Sequence, residues 1–228
     1  MPKSSGESCA LSQNRKTPFA EKTQRAPRES FGLAPSELRT LRSLKTPASI
    51  QKFLDDLTYA YTDSAGSPRR TLRLRKGHCL EGALLAAAAL RLQGHPPLIL
   101  DLESVRDDDH VLALYRERGL WGAIAKSNFA GLRFRAPVYR TLRELALSYV
   151  EHYYNLRGER TLRAYSRPIN LARIDHLHWM TSEEDVWAVT DLLIAARHYP
   201  LFPHKVAQSL PRLDRRSFQA GMHGYTKH

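Results

Sequence analysis

Cys79 stands between a basic, glycine-containing turn, "RKGH", and an apolar run, "LEGALLAAAALRLQ". Cysteine reacts as the thiolate, and the free N–H groups and dipole of a helix N-terminus lower its pKa. Arg75 and Lys76 push the same way. Such a nucleophile needs a base within reach and a third group that orients the base. His110 supplies the first, because it opens the alternating segment "HVLALYR". A helix, a turn, a strand and a loop fill the interval from Cys79, enough chain to bring the strand back across the start of the helix. Period-two alternation sets His110 on one side with Leu112 and Leu114, and that side is expected to face the cysteine helix.

The elements that position these two residues follow from pattern. Thr46 is a natural N-cap and Pro47 fits the first helical position, so a helix is expected over "TPASIQKFLDDLTYAY", with Ile50, Phe53, Leu54, Leu57 and Tyr61 on its apolar stripe. "TDSAGSPRR" reads as the turn that ends it. The helix from Cys79 carries Leu80, Ala83, Leu84 and Ala87 on one stripe and small alanines elsewhere, so neighbours can approach it from several sides. Gly94 stops it and Pro96–Pro97 forbid its continuation. "LILDL" is a short buried strand. "HVLALYR" and "WGAIAKS" flank "ERGL", a hairpin closed around Gly119. "YRTLRELALSYVEHYY" reads as a helix, "TLRAYS" as a further strand, and "SEEDVWAVTDLLIAAR" as a last helix with a serine cap. The expected class is α+β. Three regions are expected: residues 1–34 a disordered basic tail, residues 35–204 the folded domain, and residues 205–228 a basic, poorly ordered tail.

The run "RKGHCLEGALLAAAALRLQGHPPLILDL", followed by "DDDHVLALYRERGLWGAIAKSN", resembles the core of the transglutaminase-like superfamily of papain-type thiol enzymes. That family has a basic-glycine-x-cysteine entry to a small-residue helix, a Gly-Pro turn, a strand, then a strand opened by histidine and a hairpin partner entered through Gly-(x)-Trp. The likeness spans roughly residues 46–140. It implies a papain-like fold, with the cysteine helix packed on a small antiparallel sheet and flanked by helices. Cys79 matches the nucleophile and His110 the base.

The third member departs from the pattern. The family supplies an aspartate about four residues after the tryptophan, and this chain has Ala125 there, followed by Lys126, Ser127 and Asn128. If Arg118 and Gly119 alone form the hairpin loop, Ser127 lies opposite His110; looser loops bring Ala125 or Lys126 there. Asn128 is one residue beyond, within reach across a bulge, and an amide oxygen can hold an imidazole. Asn128 is therefore the expected orienter, with Ser127 the alternative. The implied reaction is acyl transfer on a carboxamide or peptide bond, as protease, amidase or transglutaminase, with a protein or peptide substrate and no cofactor. An orienter without charge stabilises imidazolium less than aspartate does, so a catalytically degenerate binding scaffold of the same fold stays open beside the enzyme.

The net charge of +12 across 228 residues allows an acidic partner bound through the tails, or nucleic acid. The second is the weaker expectation, since the arginines are spread along the chain and no zinc-finger or RNA-recognition signature appears. Cys9 and Cys79 are too far apart to suggest a disulfide framework, no apolar run is long enough to span a membrane, and no apolar segment follows the basic N-terminus. A cytoplasmic protein is expected. His78 is expected to cap the helix and point away from the sulfur. His176 and His178 make at most half a metal site, so no metal is expected.

Overall fold

A computed structural model describes residues 29–226. Along the chain run α1 (Pro35–Ser43), α2 (Pro47–Asp55), β1 (Thr58–Tyr59), α3 (Pro68–Leu74), β2 (Lys76–Gly77), α4 (Cys79–Leu92), β3 (Leu98–Ser104), β4 (His110–Glu117) and β5 (Leu120–Ile124). The second half holds β6 (Arg135–Tyr139), α5 (Leu142–Leu147), β7 (Leu162–Ser166), β8 (Ile169–Asn170), α6 (Trp187–Ile194), β9 (His198–Pro200), α7 (His204–Ser209) and α8 (Arg215–Gly221). The fold is mixed α and β. Its main sheet is antiparallel, with order β6-β5-β4-β3-β7-β9, and β8 pairs with the first residues of β3.

The sheet separates two apolar layers. Ile99, Val111, Ala113, Tyr115 and Ile124 pack with nearly the whole of α4, whose residues from Leu80 to Leu90 are all buried. Leu100, Leu102, Leu112 and Leu114 face the other way, onto Leu145, Ala146, Tyr149 and Tyr153. His110 shares this second face, so the expectation that its side of β4 meets the cysteine helix is corrected. It reaches the helix because it is the first residue of the strand, at the rim of the sheet.

Local chemistry explains where the elements agree with the pattern and where they part from it. Thr46 Oγ1 accepts from the Ser49 N–H and Pro47 opens α2, as expected. The helix stops at Asp55, however, and Tyr61 lies outside it. Lys126 Nζ donates to the Leu54 and Leu57 carbonyls, while the Thr58 and Ala60 N–H groups donate to Arg75 and Gly77. The parallel pairing of Tyr59 with Gly77 brings β1 beside the entry to α4. "SPRR" begins a helix rather than a turn, because Ser67 caps it and Pro68 occupies its first position. The hairpin loop is Arg118–Gly119, both with positive φ, as a two-residue turn requires. The helix expected over 139–154 breaks after Leu147, where Ser148 Oγ donates to the Leu145 carbonyl and Arg135 takes the Ser148 carbonyl. α6 begins five residues beyond its expected serine cap, since Asp185 is drawn to Arg70 and the Ala65 N–H.

Both expected tail boundaries shift. Residues 1–28 of the N-terminal tail lie outside the described residues, but Leu33 is buried and Phe31 stacks under the Arg91 guanidinium at 3.9 Å. The stretch after 204 forms α7 and α8, and residues 222–226 pack back on the domain.

At Gly82, α4 lies close against the chain just after β5. A Cβ there would lie 2.3 Å from Lys126 Cβ and 3.4 Å from its Cα. Alanine would gain helix propensity of about 1 kcal/mol but push helix from strand end. Gly82→Ala is expected to destabilise the fold by about 1–3 kcal/mol in urea unfolding; a stability gain would show that this contact is loose.

Candidate active site

His78 is the N-cap of α4. The His78 N–H donates to Glu81 Oε2 at 3.0 Å, and the His78 ring Nδ1 accepts from the Leu80 N–H at 3.3 Å. Glu81 is buried and spends its other oxygen on Ser64 Oγ and the Gly66 N–H, so one carboxylate ties the 64–66 loop to the start of the helix. This capping box fixes Cys79 at the first helical position, half-buried, with Sγ donating to the Asp109 carbonyl at 3.8 Å.

Cys79 and His110 line one cleft of about 450 Å³, together with His78, Tyr59 and Tyr153. The buried His110 ring places Nε2 2.9 Å from the Leu132 carbonyl oxygen. A carbonyl has no proton to give, so Nε2 carries the hydrogen and Nδ1 is left as the basic nitrogen. Tyr153 meets the same ring edge-on at 6.3 Å. The Leu132 carbonyl is itself held in place. Its side chain is buried in the layer below the sheet, at the end of a 3-10 turn over Ala130–Leu132, and Arg135 grips the neighbouring Gly131 carbonyl.

The electrostatics centre on the sulfur. Burial raises the thiol pKa, but hydrogen bonding with His110 and His78, and the charges of the two rings, outweigh it and bring the pKa down to about 5. Burial works against charge on His78 as well, yet hydrogen bonding to Cys79, the thiolate charge and Glu81 raise its pKa to about 9. His78 therefore does more than cap the helix, and the expectation that it points away from the sulfur is corrected. Its Nε2 is committed to the Ser64 carbonyl at 2.7 Å, so Nδ1 is the nitrogen open to the thiolate: cap acceptor when neutral, donor to sulfur when charged. Between about pH 5 and 9 the favoured state is thiolate beside imidazolium.

Asn128 is not brought to His110. β5 leaves the sheet after Ile124, because Gln51 captures both the N–H and the carbonyl of Ala125 and Lys126 turns away to α2. The Asn128 amide meets Tyr61 and Thr226 instead. Ser127 lines the cleft, but its Oγ accepts from the Phe129 N–H. The acceptor against the far side of the His110 ring is thus the Leu132 backbone carbonyl. A buried carboxylate does lie on the neighbouring strand: Asp101 pairs in register with Val111, but its Oδ2 is 3.0 Å from His198 Nε2, and burial raises its pKa to about 6. The acidic loop before His110 is pinned by its own bonds, Asp109 to the Ser104 N–H and Asp107 to Thr161 Oγ1. Among the described residues no group of three or more Cys, His, Asp or Glu side chains is placed to hold a metal, and no helix is long and apolar enough to cross a membrane.

The two roles of His78 separate by substitution. Asparagine keeps a cap acceptor, so His78→Asn should preserve stability while the apparent pKa of Cys79, read from the pH profile of iodoacetamide alkylation, rises by about one unit or more. Alkylation would then slow at pH 6 and stay the same at pH 9. An unchanged profile would leave His78 as a cap alone. No model of a known protein family matches the chain, and no protein of curated function matches it.

Proposed function

We propose that this chain is a transglutaminase-like thiol enzyme that cleaves or transfers acyl groups from a carboxamide or peptide carbonyl, with Cys79 as nucleophile and His110 as acid and base. The observation that carries the reading is the meeting of the Cys79 sulfur with His110 in an open cleft, the far ring nitrogen of His110 being held by a buried acceptor. The resemblance over residues 46–140 adds the fold type, since the cysteine helix, the histidine strand and the hairpin follow one another in the family's order.

In this reading the thiolate attacks the carbonyl carbon and the oxygen takes the negative charge. The Cys79 N–H, among the free donors at the helix start, faces that oxygen. The C–N bond breaks as the proton that His110 Nδ1 took from the Cys79 thiol passes to the departing amine. A water molecule gives a proton to the same nitrogen as its oxygen attacks the thioester, and collapse returns the thiolate. An amine in place of water gives transfer rather than hydrolysis. His78 serves by charge, holding sulfur as thiolate before substrate arrives.

The binding scaffold remains a second reading because of one observation: the group behind His110 is a neutral carbonyl rather than a carboxylate. It stabilises imidazolium less, which lowers the expected rate.

Acylation of Cys79 by a p-nitrophenyl ester, followed by intact-protein and peptide mass spectrometry, decides between them. The enzyme reading expects an adduct on the Cys79 peptide at neutral pH, absent in Cys79→Ala and formed about a hundredfold more slowly, or worse, in His110→Ala. Acylation at the same rate with and without His110 would leave the scaffold.

A further inference from the structure

Residues 222–226, beyond α8, return to the wall of the Cys79 cleft. α8 approaches so closely that a Cβ at Gly221 would lie 1.8 Å from the Tyr154 hydroxyl. Phe218 packs on Tyr154 at 5.5 Å, Tyr154 on Phe129 at 5.5 Å, and Tyr225 on Phe129 at 5.3 Å, a continuous row of rings. Next in the chain, Thr226 is held by its backbone. Asn128 Nδ2 donates to the Thr226 carbonyl at 2.9 Å, and Asn128 Oδ1 accepts from the Thr226 N–H at 3.1 Å and from its hydroxyl at 3.2 Å. The Tyr61 hydroxyl donates to the same carbonyl. Tyr61, Phe129 and Tyr154 are walls of the cleft that holds Cys79. Asn128 and Thr226 line an adjoining hollow that shares Tyr59 and Ser127 with it.

An amide that gives one hydrogen bond to a main-chain carbonyl and takes one from the N–H of the same residue does what a neighbouring β-strand would do. It grips the main chain, and its oxygen also takes the Thr226 hydroxyl. The aromatic slot one residue earlier adds the selective part, through ring stacking.

We infer that Asn128, Tyr61 and Phe129 form a peptide-binding subsite of the Cys79 cleft, which grips the main chain of a polypeptide that sets an aromatic residue against Phe129, and that the chain's own residues 222–226 occupy it as a resident pseudosubstrate. That this subsite serves Cys79 rests on the thiol-enzyme reading; that it holds peptide does not. A peptide substrate must displace the segment, which makes the resident segment an intramolecular competitor. A tethered competitor acts at an effective concentration on the order of millimolar, so it damps weak peptides and yields to tight ones.

The test is binding, independent of catalysis. A fluorescein-labelled peptide spanning residues 219–226 is titrated by anisotropy against the full chain and against a full-length Tyr225→Ala/Thr226→Pro variant, in which the resident segment loses its ring and the N–H that Asn128 reads. The variant is expected to bind the peptide at least about tenfold more tightly, because the cis competitor is gone. Asn128→Ala in that background should reverse the gain, while Cys79→Ala should leave binding unchanged. Thermal unfolding checks each variant, and Tyr225→Ala alone replaces any double variant that does not fold. Equal affinity for both chains, indifference to Asn128→Ala, or no binding up to about 1 mM peptide would overturn the inference. Acylation of Cys79 is judged separately, so failure here leaves the nucleophile untouched.

Discussion

A negative charge on a half-buried sulfur costs free energy unless positive charge and donors stand beside it. Here two imidazoles meet that need from opposite directions of the chain, His78 from the cap of α4 and His110 from the rim of the sheet. Each ring is held by a backbone carbonyl on its far side, Ser64 for one and Leu132 for the other. Backbone acceptors of this kind fix ring orientation and tautomer without adding negative charge that would compete for the same protons. In the proposed reaction the cost is weaker support for a transient imidazolium on His110.

Much of the fold supports that arrangement. Glu81 gathers the 64–66 loop and the His78 N–H onto the start of α4. The small residues of α4 let the sheet and helices α1–α3 close around it, so its first turn does not fray. On the other side of the sheet, the 3-10 turn that carries Leu132 is anchored by an apolar side chain and by Arg135. The same guanidinium holds Ser148 and stacks on Tyr149 at 3.9 Å, so it couples the turn to the layer beneath the sheet.

The α+β class, the cysteine helix and the hairpin were legible in the sequence because each rests on local pattern: small-residue periodicity with a glycine stop, alternation, and a two-residue turn with glycine second. The places of Cys79 and His110 in the fold were legible for the same reason, since both stand at the first position of a strongly patterned element. The orienter was not. A carbonyl carries no side-chain identity, so nothing in "AGL" marks Leu132 as the group that would face His110. Asn128 was misplaced because strand pairing was extrapolated past Ile124, where Gln51, far away in sequence, intercepts the backbone. The early ends of α2 and of the helix after residue 141 have the same origin: Lys126 and Arg135 take carbonyls that the next helical turn would have used. The C-terminal stretch reads as solvated because it is basic and its apolar residues follow no clear period, yet Phe218 and Tyr225 dock it on Tyr154 and Phe129. The expected disorder of residues 1–28 lies outside the described residues.

The thiolate–imidazolium pair can be read directly from the ultraviolet absorbance of the thiolate, titrated from acid to base and corrected by the same titration of Cys79→Ser. The account expects the Cys79 signal to appear at about pH 5 and to be complete by neutral pH. A signal that rises only near pH 8–9, where an ordinary thiol ionises, would contradict it.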